Sequence, residues 1–174
     1  MRRIVSDAAL DALFRAAHSR YVWLDRPVGD TLLRALWELV KRAPTSGIAR
    51  PARLVFVRSQ AVKARLAPAL PEAIRAGLTT APVAAIVGHA IDLERPSAGL
   101  REGGMQAASL ILAARALGLD CGPFWDFDGR IVDAAFFPEG TVASTVLCAI
   151  GYGDDTQPAP PEARPGCDET CPIL

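Results

Sequence analysis

The chain is poor in the features that announce most chemistries. Lysine occurs only as Lys41 and Lys63, so arginine carries nearly all the positive charge. Basic and acidic residues balance at 19 each, which leaves no electrostatic footprint for nucleic acid or an anionic membrane surface. No apolar run is long enough to span a bilayer. Met1-Arg2-Arg3-Ile4 leads into a polar helix start and not an apolar leader, so a cytoplasmic location is expected. Histidine is confined to His18 and His89, and Cys121, Cys148, Cys167 and Cys171 form no CxxC pair. Neither a metal site nor a disulfide framework is expected from that spacing. The patterns GxGxxG, GxxxxGK[ST] and GxSxG are all missing. Their absence excludes the standard dinucleotide and phosphate cradles and the serine-hydrolase elbow.

What is present reads as an enzyme-sized core. The 174 residues are 51% apolar, enough for one domain with a real interior. Residues 1–174 are expected to form a single domain, with 155–174 as an extended C-terminal tail. The stretch Met105–Pro123 organises the rest. Ala107, Leu110, Ile111 and Ala114 share one helix face, and Ala108, Leu112 and Ala116 cover much of the remainder, so this helix is buried on most sides. Gly118 supplies its C-cap, and Leu119–Gly122 turns back into a strand. The surplus of apolar surface marks either a central core helix or a subunit interface. Under the interface reading, Leu110→Asp is expected to break a dimer.

In chain order, Ser6 caps a helix whose stripe is Leu10, Leu13, Phe14 and Ala17. A second helix starts near Gly29-Asp30-Thr31, turns Leu32, Leu33, Leu36, Trp37 and Val40 to the core, and stops before Pro44. Leu54–Val57 and Val83–Gly88 read as buried strands, with a helix over Gln60–Ala67 between them that resumes to Ala76. Residues 89–104, rich in glycine and proline, read as a loop. Asp128 caps a helix over Arg130–Phe137, and Thr145–Ile150 is a last strand. Cys121 and Cys148 fall in apolar runs, as reduced core residues do. The order gives a sheet covered by helices, α/β or α+β; periodicity does not choose between the two.

Four loops carry polar or glycine residues: His18–Arg20, Pro44–Gly47, Gly122–Asp128 and Gly151–Asp154. Ser19, Arg20, Thr45 and Ser46 are the donor types that hold a phosphate. An ordinary helix end and an ordinary turn account for the same residues.

The motifs taken together add a resemblance. Pro44-Thr45-Ser46, the run Pro51-Ala52-Arg53-x-Val55-Phe56-Val57-Arg58, Ala81-Pro82-Val83, the M-Q-A-A-x-L-I and A-R-A-L-G-L-D-C-G-P segments, and Ile150-Gly151-Tyr152-Gly153-Asp154 resemble the nitroreductase superfamily across nearly the whole chain. The resemblance is strongest to its malonic semialdehyde reductase-like and haloacid-operon branch. It implies an α+β fold with a mixed, mainly antiparallel sheet flanked by helices, and a homodimer formed through the central helices. It also implies FMN at the dimer interface, with NADH or NADPH as hydride donor. By the same resemblance His18, Ser19, Arg20 and Arg164 lie where the family holds the phosphate, with Gly151 and Gly153 in the turn beside it. Thr45, Ser46 and Gly47 would line the flavin, and Pro123 and Phe124 would begin the loop at its reactive edge. Trp125 would stand at the substrate face, and no side chain is expected to act as a catalytic acid or base.

The implied function is transfer of hydride through the flavin to a small oxidised substrate: an aldehyde of the malonic semialdehyde type, or an enoyl, nitro or quinone compound. The chain departs from close relatives at Gly47-Ile48, where they carry Ala-Asn, and at Phe124-Trp125-Asp126, where they carry Met-Ser-Gly. Ala143-Ser144-Thr145 replaces a Lys-Ser-Asn, and the 89–104 segment is shorter. Those departures support an alternative, a degenerate dimer of the same fold that binds flavin or serves a structural role without catalysis.

Overall fold

The computed structural model describes residues 4–45, 52–94, 96–157, 165–171 and 173. Four strands form one sheet: β1 (Arg53–Val57), β2 (Val83–Ala90), β3 (Asp120–Phe124) and β4 (Val142–Gly151), in the order β1-β2-β4-β3. All three pairings are antiparallel, which settles the choice periodicity left open. Helices α1 (Asp7–Leu10), α2 (Asp30–Val40), α3 (Gln60–Lys63), α4 (Glu72–Thr79), α5 (Pro96–Ala116), α6 (Gly129–Phe136) and α7 (Cys167–Thr170) surround it.

The central strands are apolar on both faces because helices cover both. Val83, Ala85 and Val87 of β2 join Val146, Cys148 and Ile150 of β4 on the face packed by α2 and α5. Ala84, Ile86, Leu147 and Ala149 alternate to the opposite face, with Leu78 of α4 and Val132 of α6. Leu33, Leu36 and Val40 give α2 its buried stripe, and Ala107, Leu110 and Ala114 give α5 its own. Cys121 and Cys148 are buried and free. A hydrogen bond with Cys148, then burial, pushes the Cys121 thiol up, so Cys121 stays a protonated core group.

Local signals fix several ends. Ser6 accepts from the Ala9 N–H at 3.2 Å, and Asp128 from the Arg130 N–H at 3.0 Å. At the end of α5, Gly118 takes φ +73°. There Leu119 N–H donates to Ala114 C=O at 2.9 Å and Gly118 N–H to Arg115 C=O at 3.0 Å, the paired bonds of a Schellman cap.

The largest correction concerns 89–104. That segment is not a loop: β2 runs to Ala90, and α5 begins at Pro96. Its glycines are packing devices. A Cβ at Gly99 would overlap the His89 ring, and one at Gly103 would lie 2.9 Å from Thr145 Cβ, so helix and sheet approach through bare backbone. Thr145 is the extra residue of a bulge, since Val87 pairs with Val146 and Gly88 with Ser144. The bulge turns Thr145 toward α5, where its Oγ1 meets His89 Nδ1 at 2.7 Å.

Smaller differences follow the same logic. The first helix breaks into a π-helical turn, Asp11–Arg15, and Phe14 is exposed, as Trp37 partly is. Pro68 and Pro71 limit the predicted Gln60–Ala67 helix to α3, followed by a 3-10 turn at Ala67–Ala69, and α4 starts afresh at Glu72. Leu110 faces the sheet and is fully buried, so it is a core residue and not an interface contact. The outward side of α5 presents Leu100, Met105 and Ala108. Among the described residues no helix is long and apolar enough to cross a membrane.

Candidate functional site

After its π-helical turn the chain runs extended through His18–Leu24 across the ends of β3 and β4. Arg20 N–H donates to Cys121 C=O at 2.9 Å, Leu24 N–H to Tyr152 C=O at 2.8 Å, and Asp154 N–H to Val22 C=O at 3.0 Å. Trp23 forms an isolated bridge to Gly153. Three glycines permit that approach. A Cβ at Gly122 would collide with Arg20 C=O, one at Gly153 would lie 2.7 Å from Arg20 Cγ, and one at Gly151 would lie 3.1 Å from Trp23 Cε3. The fold therefore brings Arg20, Gly151, Gly153 and Pro123 into one neighbourhood, with Ser19 half-buried and His18 exposed just before them.

Arg20 is the charged centre of this neighbourhood. Its guanidinium, 16% exposed, reaches Asp155 Oδ1 at 2.5 Å and Asp120 at 4.0 Å. Asp120 Oδ2 also accepts the Gly153 N–H at 2.8 Å. A fork of N–H groups thus already holds one anionic oxygen, that of the exposed Asp155, which a phosphate oxygen can replace. Thr156, whose hydroxyl and N–H donate to Asp154, keeps the Asp154 carboxyl below its usual range.

The next residue, Tyr21, opens a cavity of about 550 Å³ lined by Ala73, Ile74, Ala76 and Gly77 of α4 and by Pro123, Phe124, Trp125 and Asp126. Small residues make its wall, because Ala73, Ala76 and Gly77 fall at i, i+3, i+4 on one helix face. A Cβ at Gly77 would lie 3.2 Å from Phe124 Cζ and 3.4 Å from Tyr21 Cβ, so glycine sets how closely α4 approaches. Trp23 Nε1–H fastens the segment to Gly77 C=O at 2.8 Å. The Tyr21 and Phe124 rings meet edge to face at 5.3 Å. β3 is an edge strand, and the Arg20 N–H covers that edge only at Cys121; beyond Pro123 it borders the cavity. The arrangement is a mostly apolar slot that begins one residue along the chain from a cation, within the 300–1,000 Å³ range of small-molecule sites.

A larger cleft, about 1130 Å³, lies between Trp23–Val28 and β1. Each of its cations is already engaged. Arg26 lies over the Tyr152 ring at 3.8 Å, Arg58 pairs with Asp30 at 2.5 Å, and Arg65 donates to Ala135 C=O. Lys63 donates to Ala81 C=O at 2.6 Å, and burial lowers its pKa.

Thr45 is exposed after α2, and no described contact joins it to the Arg20 neighbourhood. Ser46, Gly47 and Arg164 lie outside the described residues. Phe124 is buried and packs against Tyr21, serving core and cavity at once. Sequence reasoning missed Tyr21 and the α4 face. The A-x-x-A-G spacing of Ala73, Ala76 and Gly77 was the available signal.

No protein-family model matches the chain. A Polynucleobacter asymbioticus protein named as a candidate NADH dehydrogenase/NAD(P)H nitroreductase is 38% identical over 196 positions, which take in 100% of both chains. A Stenotrophomonas maltophilia protein of the same designation is 42% identical over 195 positions, covering 99% of this chain and all of its own length. Both alignments are longer than the 174 residues present here, so these relatives carry positions this chain lacks. Among solved structures, a Bacillus subtilis protein described as a candidate nitroreductase superposes with TM-score 0.85 at 17% identity, over 97% of this chain and 100% of that one. An Exiguobacterium sibiricum protein so described, in complex with FMN, superposes with TM-score 0.83 at 16% identity over all of both chains. At those identities the two structures show a shared fold.

Proposed function

The chain belongs to the nitroreductase family, and on that premise we propose that it is an FMN-dependent NAD(P)H oxidoreductase acting on a small oxidised molecule. One juxtaposition carries the reading: a mostly apolar cavity opens at Tyr21, the residue next to an arginine whose half-buried side chain already grips an anionic oxygen. FMN has the matching parts, a planar ring and a phosphate, and the small side chains of α4 leave room for the ring. Bound there, FMN would supply two-electron chemistry between reduced nicotinamide and the acceptor.

The chain's own residues bind and orient. Arg20 holds the phosphate in place of Asp155, and the Gly151–Gly153 turn keeps backbone close enough to assist. Ala73, Ala76 and Gly77 set the width of the slot, while Phe124 and Tyr21 close its inner end. No acid or base among the side chains is required. Thr45, Ser46, Gly47 and Arg164 keep the cofactor roles that the resemblance gives them. The motifs of the malonic semialdehyde reductase-like branch keep small aldehydes among the acceptors, beside enoyl, nitro and quinone compounds. We further propose a homodimer through the outward side of α5; α5 and the α4 slot lie on opposite faces of the sheet, so this reading gives up the expectation that FMN sits at the dimer interface. Its exposed Leu100 and Met105 and the open space over Gly104 support that surface.

The test is direct. Purified protein should be yellow, and should bleach when NADH or NADPH is added without air. Arg20→Ala should weaken FMN binding roughly tenfold to a hundredfold, the scale of a charged hydrogen bond. Protein that is colourless and takes up no FMN favours the non-catalytic reading, and a monomer on gel filtration removes the proposed interface.

A further inference from the structure

Trp125 and Phe124 are consecutive aromatic residues with opposite fates. Phe124 is 4% exposed and belongs to the core, whereas Trp125 is 62% exposed and lines the cavity. Tryptophan is usually well buried, so a ring left open at the mouth of an apolar slot stands out. The strand explains the split. β3 ends at Phe124, and the next residue leaves the ladder on the cavity side of the edge.

Charge at the mouth is one-sided. Among the cavity's described lining residues the only formal charge is Asp126, and no lysine or arginine lines the wall. Arg20 sits behind Tyr21, tied to Asp155 and Asp120. A carboxylate brought against Trp125 meets a like charge at Asp126 with no lining cation to pair it, an arrangement that opposes binding.

We propose that Trp125 is the acceptor-binding residue of this site, stacking a planar acceptor, and that Asp126 selects against small carboxylate-bearing ones. The assignment rests on the flavin reading above and narrows its acceptor class to flat, neutral or cationic molecules such as quinones. The overall reaction balances with a quinone. The nicotinamide C4–H bond breaks and gives up a hydride, and the quinone gains two electrons and two hydrogens. Solvent supplies the second proton.

The test compares three acceptors on NADH-driven, FMN-loaded enzyme: 1,4-naphthoquinone, which is flat and neutral; ferricyanide, which has no face to stack; and succinic semialdehyde, which carries a carboxylate. Trp125→Ala should lower kcat/KM for naphthoquinone relative to ferricyanide by about tenfold, the scale of an aromatic stacking contact, mainly through KM. Trp125→Phe should restore most of that ratio. Asp126→Lys should raise kcat/KM for succinic semialdehyde severalfold. An unchanged naphthoquinone-to-ferricyanide ratio in Trp125→Ala, or a wild type that prefers succinic semialdehyde, overturns this proposal alone. A wild type that holds no flavin, or whose flavin no nicotinamide bleaches, overturns the underlying reading and this one with it.

Discussion

The two faces of the sheet are built from alternate residues of the same strands, yet they end differently. On the α2–α5 face, Leu36, Leu110, Val83 and Ile150 interlock over the middle of the sheet, and an open pocket of about 560 Å³ lies at its β1 edge beside Leu33, Trp37, Leu54 and Phe56. On the α4–α6 face, Leu78, Ile86 and Leu147 pack as tightly in the middle, but toward β3 the helix offers Ala73, Ala76 and Gly77, and a slot remains. The pocket at the β1 edge is rimmed by Asp30, Arg34, Arg53 and Arg58, whereas the slot has small apolar walls and Asp126 as the one formal charge among its described lining residues. A site arises where the chain declines to fill a space it has the backbone to enclose.

The strongest way to break this comparison is to empty the filled face. Leu110→Ala removes a fully buried side chain, and should destabilise by about 2–5 kcal/mol. A denaturant midpoint within error of wild type would show that Leu110 is not part of the core. The complementary change fills the slot. Ala76→Leu should weaken FMN binding more than about tenfold while stability moves by less than about 1 kcal/mol, because a cavity receives the new atoms. Unaltered FMN affinity would place the cofactor elsewhere.

Two adjacent glycines sharpen the contrast further. Gly103→Ala brings a Cβ to 2.9 Å from Thr145 Cβ, and should destabilise by about 1–3 kcal/mol through overpacking. Gly104→Ala meets nothing within 4 Å, and should stabilise by about 0.5–1 kcal/mol through helix propensity. Equal signs for the pair, read from thermal melts, would contradict the packing assigned to α5.

The smallest effect is a pH dependence at His89. Burial lowers its pKa from the usual 6.5, with Asp133 opposing. Above pH 6.5 the ring is neutral in both folded and unfolded chains and contributes no penalty. As pH falls through 6.5 the unfolded chain takes the proton first, so stability declines until the folded pKa is passed. His89→Gln should flatten the urea midpoint between pH 8 and pH 5.5; the same slope in both proteins would remove His89 as its source.

Much of the frame was legible from residue pattern. The stripe of α2, the caps at Ser6, Asp128 and Gly118, and the unbroken apolar run of β2 are short-range signals, and each appears where expected. The resemblance carried by spread-out motifs anticipated the family that the relatives show. Pattern failed where meaning depended on a distant neighbour. Gly99 and Gly103 read as loop formers until His89 and Thr145 lie against them. Phe14 and Trp37 sit on apolar stripes but find too little to cover them. Tyr21 carries no signal of its own, and becomes a cavity wall only because residues 18–24 cross the ends of β3 and β4.

By itself the sequence determined most of the segments that are helix or strand, though not 89–104 or the extent of the helix after Gln60, together with their order and the apolar faces that force a covered sheet. Those properties depend on contacts within about a turn or a strand, which the chain writes locally. Only the tertiary structure decided that the pairings are antiparallel, that α5 presses bare glycine onto the sheet, and that Arg20 stands beside a slot cut by α4. Such features depend on residues some fifty to a hundred positions apart meeting at fixed distance, as Trp23 meets Gly77 and Arg20 meets Asp120, and local pattern holds no record of that meeting.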